Sequence, residues 1–476
     1  MTRPTLLSCL LPALVTGVLA GLAACGSSSP VSAPPLAAGP TPQGECGPGS
    51  RPETGIQGRV SQADHDAGRA AAGFTCNTQL VGSYTTPNPL GTVGGFKVER
   101  FIDRTGRECA YYDTTLLFPL NVLSAEVGVN VMDMSDPANP LLARRLISPA
   151  MLSPHESLVV SQQGAVLAAV AGNPAVLPGI VDVYDLADDC RNPRLRSSNL
   201  SGVLGHESGM SPDGRTFWSA SPGSPTLTAV DISLPQARRL WTGPYTAHGL
   251  SISPDGNRAY VSAGDGAGVL ILDVSEIQAR RDNPEVREIS RISWDNQTIP
   301  QNAMPFTRNG RRYLLEIDEF SSNRDGAPLP ASHGTKVGAG RIIDIEDETR
   351  PFIVSNLRLA VHEPENRAAI IDDPGARNFT GGYAGHYCAL SSTVDPDIAA
   401  CSMIVSGLRV FDIRDPRKPR EIAYFNAPVQ PRLLPLPAQA SNWPMSRPTI
   451  VPARKEIWYT DGYSGFYVVR VTNDVW

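Results

Sequence analysis

The stretch Gly407-Leu408-Arg409-Val410-Phe411-Asp412-Ile413-Arg414-Asp415-Pro416 reads as a short apolar strand that stops at an aspartate and turns at Asp-Pro. Gly before it and Pro after it punctuate the run as strand boundaries do. The hydrophobic–Asp–hydrophobic triplet, or a close variant, recurs at Asp133, Asp185, Asp231, Asp273 and Asp344, and a seventh, degenerate copy carries Arg470 in the acidic place. Successive centres lie roughly 40 to 70 residues apart, the interval of a propeller, solenoid or array. This recurrence overrides the ~three domains that a chain of 476 residues would otherwise suggest.

A second signal lies between the triplets. Ser211-Pro212-Asp213-Gly214, Ser253-Pro254-Asp255-Gly256 and Thr307-Arg308-Asn309-Gly310 are tight turns, and Asp103 to Gly106 and Ser161 to Gly164 fill the same place in earlier repeats. Asp-Gly and Asn-Gly supply the positive φ that hairpins require. A strand-like run follows each turn, then the Asp-centred strand, then often Asp-Pro and a further apolar strand. The unit is a four-stranded antiparallel meander. It predicts an all-β fold, a seven-bladed β-propeller of four-stranded antiparallel blades over residues 76–476. The last repeat stops after its third strand, Gly465 to Val471. Thr78 to Tyr84 is expected to supply the fourth, an N-terminal strand that closes the last blade and hides an open edge. The triplet aspartates recur once per blade away from the axis, so they read as acceptors for backbone amides.

The N-terminus reads as an address. Arg3 precedes an apolar run, Leu6 to Ala20, too short to be a convincing span, and Leu22-Ala23-Ala24-Cys25-Gly26 resembles a bacterial lipobox. The expectation is a lipoprotein signal peptide over 1–24, a lipidated Cys25, and a flexible tether and N-terminal extension over 25–75. An ordinary secretory signal is the competing reading. The chain would then be extracytoplasmic and held to a bacterial membrane by its lipid. Gly26, rather than Asp, after the cysteine favours the outer membrane or cell surface. Export makes pairing natural for Cys46, Cys76, Cys109, Cys190, Cys388 and Cys401. Cys388 and Cys401 flank one hairpin and are expected to bridge it; Cys76–Cys109 is favoured among the rest. The net charge of −6, without a basic stripe, argues against nucleic acid as a partner, and a monomer is expected.

The triplet strands with their Asp-Pro-x-x-Pro turns resemble those of the LVIVD-repeat proteins, a bacterial group of extracytoplasmic β-propellers. Cys109-Ala110-Tyr111-Tyr112-Asp113-Thr114, Gly385-His386-Tyr387-Cys388 and Gly407 to Pro419 carry the resemblance, which spans roughly Cys76 to Trp476. It implies the propeller fold and no particular reaction. Arg470, and Glu346-Asp347 in place of Ser-Asp, depart from the pattern.

Four histidines share one address. His206 and His248 stand eight residues ahead of their turn glycines and His155 nine ahead; His386 has the same place in the sixth repeat, and Asn302 holds it in the fifth. Innermost strands surround the axis of a propeller, so these residues are expected to ring one mouth of the channel. Glu156 and Glu207 follow two of them. Asp265, Asp318, Glu319 and Asp461 end second strands, which antiparallel pairing brings to the same mouth. Imidazoles and carboxylates that converge suit a divalent transition metal such as zinc or copper. The competing reading makes each histidine a hydrogen-bond link between neighbouring blades. No G-x-S-x-G, H-E-x-x-H or Walker-type motif is present.

Two functions follow. The first is a membrane-anchored binding module that meets a protein or small-molecule partner through its loop face, with Glu319 to Gly338 and Leu359 to Gly385 as recognition loops. The alternative is a metal-dependent hydrolase or oxidoreductase. Its ligands would be His155, His206, His248, His386, Asp265 and Asp318, with Glu156 or Glu207 as base.

Overall fold

A computed structural model describes residues 39–86, 93–113, 127–171, 179–200, 205–263, 268–294, 299–319, 339–377, 382–430 and 441–476. Each Asp-centred run is a strand that ends on its aspartate: Val129–Asp133, Ile180–Asp185, Leu227–Asp231, Gly268–Asp273, Gly340–Asp344 and Gly407–Asp412. The cause is local. The aspartate Oδ1 accepts the N–H two residues on, at 2.9 Å from Ala187 and Ser233 and 3.0 Å from Ser135, Ser275 and Arg414. This Asx turn ends the ladder. In the degenerate copy Arg470 instead pairs with Glu456 at 2.9 Å.

The strands form seven sheets, numbered here as blade 1 (residues 99–146), blade 2 (159–200), blade 3 (208–243), blade 4 (247–293), blade 5 (299–357), blade 6 (384–426) and blade 7 (449–471). Blades 1 to 6 each set four antiparallel strands side by side in chain order, and the protein is a seven-bladed β-propeller. Blade 7 takes its fourth strand from Thr78–Tyr84, which pairs with Gly465–Val471 as the sequence predicts. Blade 6 carries a fifth strand, Phe74–Cys76, paired with Arg420–Asn426.

Triplet strands are apolar at nearly every position because both faces of a blade are buried. In blade 4, Leu270 and Leu272 pack toward blade 3, while Val269 and Ile271 pack toward blade 5. A cluster of this kind fills each of the seven interblade spaces, and Trp458, Phe466 and Val468 of blade 7 close the ring against Ala110, Tyr112 and Met132 of blade 1.

The signal segment 1–24 and Cys25 lie outside the described residues. Composition reads as tether up to Gly49, yet the part of it that is described is docked. Thr41 N–H donates to Arg358 O at 2.8 Å and Gly44 N–H to Glu421 O at 2.7 Å. The segment satisfies backbone groups that the outer edges of blades 5 and 6 would otherwise leave open. Beneath it, the buried Arg409 pairs with Glu53 at 2.7 Å and Glu421 at 3.0 Å.

The bridge Cys388–Cys401 is present, joining register partners of one hairpin. Cys76–Cys109 is not: the pairs are Cys46–Cys76 and Cys109–Cys190. Cys76 belongs to the edge of blade 6 and Cys109 to the blade 1–2 interface, with blade 7 between them. Three disulfides fit an oxidising, extracytoplasmic compartment. Among the described residues no helix is long and apolar enough to cross a membrane.

Candidate metal centre at the propeller hub

The shared address brings all four histidines together. His155 opens a 3₁₀ turn, His155–Ser157, with φ of 51°, and directs Glu156 inward. His206 and Glu207 immediately precede the innermost strand of blade 3, Ser208–Met210. His248 and His386 sit in the innermost strands of blades 4 and 6 at register shifts, between Ala247 and Leu250 and between Gly385 and Tyr387. Such bulges rotate a side chain out of the normal alternation. Here they turn imidazoles toward the axis. Glu319 arrives from the end of the second strand of blade 5, Arg311–Glu319.

The donor atoms close a ring. Glu156 Oε2 lies 3.3 Å from His206 Nε2, which lies 3.2 Å from His248 Nε2. His248 Nε2 meets Glu319 Oε1 at 2.7 Å, Glu319 Oε2 is 3.2 Å from His386 Nε2, and His386 Nε2 returns to Glu156 Oε1 at 3.3 Å. His155 stands beside the ring, its imidazole centroid 4.4 Å from that of His206 and edge-on to Phe96 at 4.1 Å. His386 Nδ1 lies 2.5 Å from the Met445 carbonyl. A carbonyl only accepts, so Nδ1 carries the hydrogen and a neutral His386 presents Nε2 as a lone pair.

A second layer adjoins the ring. Glu207 Oε1 takes Lys97 Nζ at 3.2 Å and Asn302 Nδ2 at 2.7 Å. A Cβ at Gly249 would come within 1.7 Å of Glu207 Oε2, so only glycine leaves room for this carboxylate. Lys97, Glu207 and Asn302 form the inner end of a cavity of about 590 Å³, lined by the innermost strands of all seven blades through Arg100, Val160, Met210, Ser251, Met304, Leu390 and Thr449. The cavity includes Pro212 and Pro254 of the first-strand turns and thus reaches the hub from the opposite end of the channel.

The electrostatics follow from burial and proximity. Burial works to lower the pKa of His248, but Glu319, with Glu156 and Glu207, outweighs it and brings it up to about 9. Burial is likewise overcome at His386, where Glu156 and Glu319 raise the pKa to about 9. Burial depresses His155 to about 4 and holds His206 well below its ordinary range. It would raise Glu319, yet His248 and His386 bring that carboxyl down to about 2. Burial lifts Glu207 to about 7 against the pull of Lys97, whose own pKa burial lowers. The metal-free cluster thus holds its two anionic carboxylates, Glu156 and Glu319, with protons on His248 and His386.

Not every expected residue joins. Asp318 is adjacent to Glu319 on one strand, where successive side chains point to opposite faces. It turns away from the ring and pairs with Arg341 at 2.7 Å. Asp265 lies outside the described residues. Asp461 accepts the N–H groups of Trp443 at 2.8 Å and Tyr463 at 2.9 Å. Glu156 and Glu207, expected as bases, both enter the cluster. Sequence reasoning missed Lys97, although it stands nine residues ahead of Gly106, the spacing of His155 from Gly164.

No family model matches the chain, and no curated protein matches it. Solved structures do. A candidate 6-phosphogluconolactonase of Bacteroides uniformis is 14% identical with a TM-score of 0.50, covering 74% of this chain and 89% of its own. The periplasmic gluconolactonase PpgL of Pseudomonas aeruginosa is 14% identical with a TM-score of 0.48, over 73% of this chain and 93% of its own. Hydrazine synthase of Kuenenia stuttgartiensis is also 14% identical, with a TM-score of 0.47 over 82% of this chain and 100% of its own. At this identity the likeness is one of fold, and what the chain shares with known proteins is the β-propeller.

Proposed function

We propose that this is an extracytoplasmic propeller of the LVIVD-repeat type, tethered to a bacterial membrane through lipidated Cys25, whose hub binds a divalent transition-metal ion and supports metal-dependent hydrolytic or redox chemistry. The observation that carries the reading is the spacing of the donor ring, 3.2 to 3.3 Å along four of its five contacts. A tetrahedral ion with bonds of about 2.0 to 2.1 Å sets its donors about 3.3 to 3.4 Å apart. Neighbouring donors of the ring are therefore spaced as two ligands of one ion are. Two imidazole Nε2 atoms facing each other, as in His206 and His248, also need a cation or proton between them. Glu207 lies between the ring and the channel, placed to act as a base on a small polar molecule arriving by that route.

The binding-module reading draws on the long insertions, of which residues 320–338 lie outside the described range; the hub supplies the more specific observation. Metal analysis of protein prepared without a His-tag tests the proposal. The wild type should hold at least one equivalent of zinc or copper, and His206→Ala with His248→Ala should lower affinity more than about tenfold. Metal below about one-tenth equivalent after incubation with either ion, under conditions where a structural site of this kind fills, would overturn it.

A further inference from the structure

The hub has more donors than one ion uses. The ring of Glu156, His206, His248, Glu319 and His386 is flanked by His155 on one side and Glu207 on the other. Three groups of potential ligands have donor atoms within 4.8 Å of one another: His155, Glu156 and His206; Glu156, Glu319 and His386; Glu156, Glu207 and His248. Glu156 is common to all three. Its two oxygens face apart, Oε1 toward His386 Nε2 and Oε2 toward His206 Nε2, each at 3.3 Å. His155 Nδ1 and Glu207 Oε2 are both buried without a hydrogen-bond partner. Buried polar atoms are rarely left so, and a bound ion, a water or a catalytic role accounts for those that are.

Resting on the metal reading above, we infer that the hub holds two divalent ions bridged by the Glu156 carboxylate, and that the pair receives a small oxyanion through the channel. One ion takes the Oε1 side with Glu319 and His386; the other takes the Oε2 side with His155 and His206. Each ion then has three protein ligands, and His248, next to both His206 and Glu319, is placed to become the fourth of either. Two-ion centres of this kind clamp an oxyanion between the metals.

Charge points to the ligand class. Lys97 Nζ and Glu207 Oε1 form an ion pair at 3.2 Å whose charges cancel, and ligating carboxylates are ionised. Glu156 and Glu319 then offer two negative charges, which a single divalent ion balances. A second ion leaves two positive charges uncompensated in a buried site. Hydroxide or an oxyanion must supply the balance, so the second ion and the anion should bind together. The channel wall presents Lys97, Arg100 and Arg447 to such a visitor, each paired with a carboxylate, Glu207, Glu108 and Glu99 respectively.

Cobalt(II) as the metal and inorganic phosphate as the anion test this on the full chain, prepared without a His-tag. The expected result is one equivalent of cobalt without phosphate and two with it, the second accompanied by one bound phosphate and by magnetic coupling between the ions. His155→Ala should hold one equivalent in both conditions, and Glu156→Gln should lose the coupling. Their circular dichroism and melting temperatures establish that both variants are folded. A single equivalent in wild type with phosphate present overturns the two-ion site and leaves the single-ion reading standing. Two equivalents that neither require nor bind phosphate overturn the oxyanion. No cobalt at all removes both readings.

Discussion

At the scale of single residues, the proposed metal would replace protons at the hub. His248 and His386, raised to about 9 from an ordinary 6.5, bind protons more tightly in the folded than in the unfolded chain. Their contribution to stability is complete below pH ~6.5 and is lost as pH rises through about 9. Glu319, brought down to about 2 from 4.5, contributes above its unfolded value and loses that contribution as pH falls through about 2. Metal-free protein should therefore melt at progressively lower temperature between pH ~6.5 and ~9, and zinc should remove most of that slope. Near pH 7.5, calorimetry in buffers of differing ionisation enthalpy should show about two protons released by the first ion. A flat melting profile and no proton release would mean that these histidines are not charged. Much at this scale was legible in the sequence. Counting back from the turn glycines put His155, His206 and His248 at one address, to which His386 belongs by its place in the sixth repeat, and the triplet aspartates do accept backbone amides. Lys97 escaped because a search for like residues passes over an unlike one at the same spacing.

At the scale of elements, turn chemistry made strands and hairpins readable, and pairings outside the repeat were not. Phe74-Thr75-Cys76 is too short to show any period, and it pairs with Arg420–Asn426 only because the ring brings the N-terminal segment to that edge. The bulges that aim His248 and His386 also leave no mark in the sequence; they follow from what must face the axis. Closure of blade 7 is the element-level claim most open to test. Removing residues 467–476 would strip Tyr467, Val468, Val469 and Val471, all buried. At about 1.5 to 3 kcal/mol for each large apolar side chain, the loss approaches the whole stability of a typical domain. The truncated chain should fail to fold or melt at much lower temperature, and an unchanged transition would refute the closure. Disulfides should rank by the loop they close. Replacing Cys109 and Cys190, 81 residues apart, should cost more than replacing Cys388 and Cys401, 13 apart, by chain entropies of about 4 to 5 against about 3 kcal/mol. Denaturant midpoints of the two double variants measure the order.

At the scale of the molecule, repetition is what makes the site. No single blade contains a metal motif, and the ligand spacings along the chain match no known signature. Blades 2, 3, 4, 5 and 6 each lend one or two side chains to the axis, and only ring closure brings them into contact with one another. That is why the fold was legible from the triplets while the site could be read only as an address, and why Asp318 reads as a ligand from the sequence although its neighbour Glu319 is the one that meets His248 and His386. The central claim is that the hub is a metal centre. The most direct test is an anomalous difference map, recorded at the zinc edge, from crystals grown with zinc. The account predicts a peak at the hub bonded to Glu156 and to at least two more of His206, His248, Glu319 and His386. Zinc bound only at the surface, with these five side chains still in contact with one another, would contradict it.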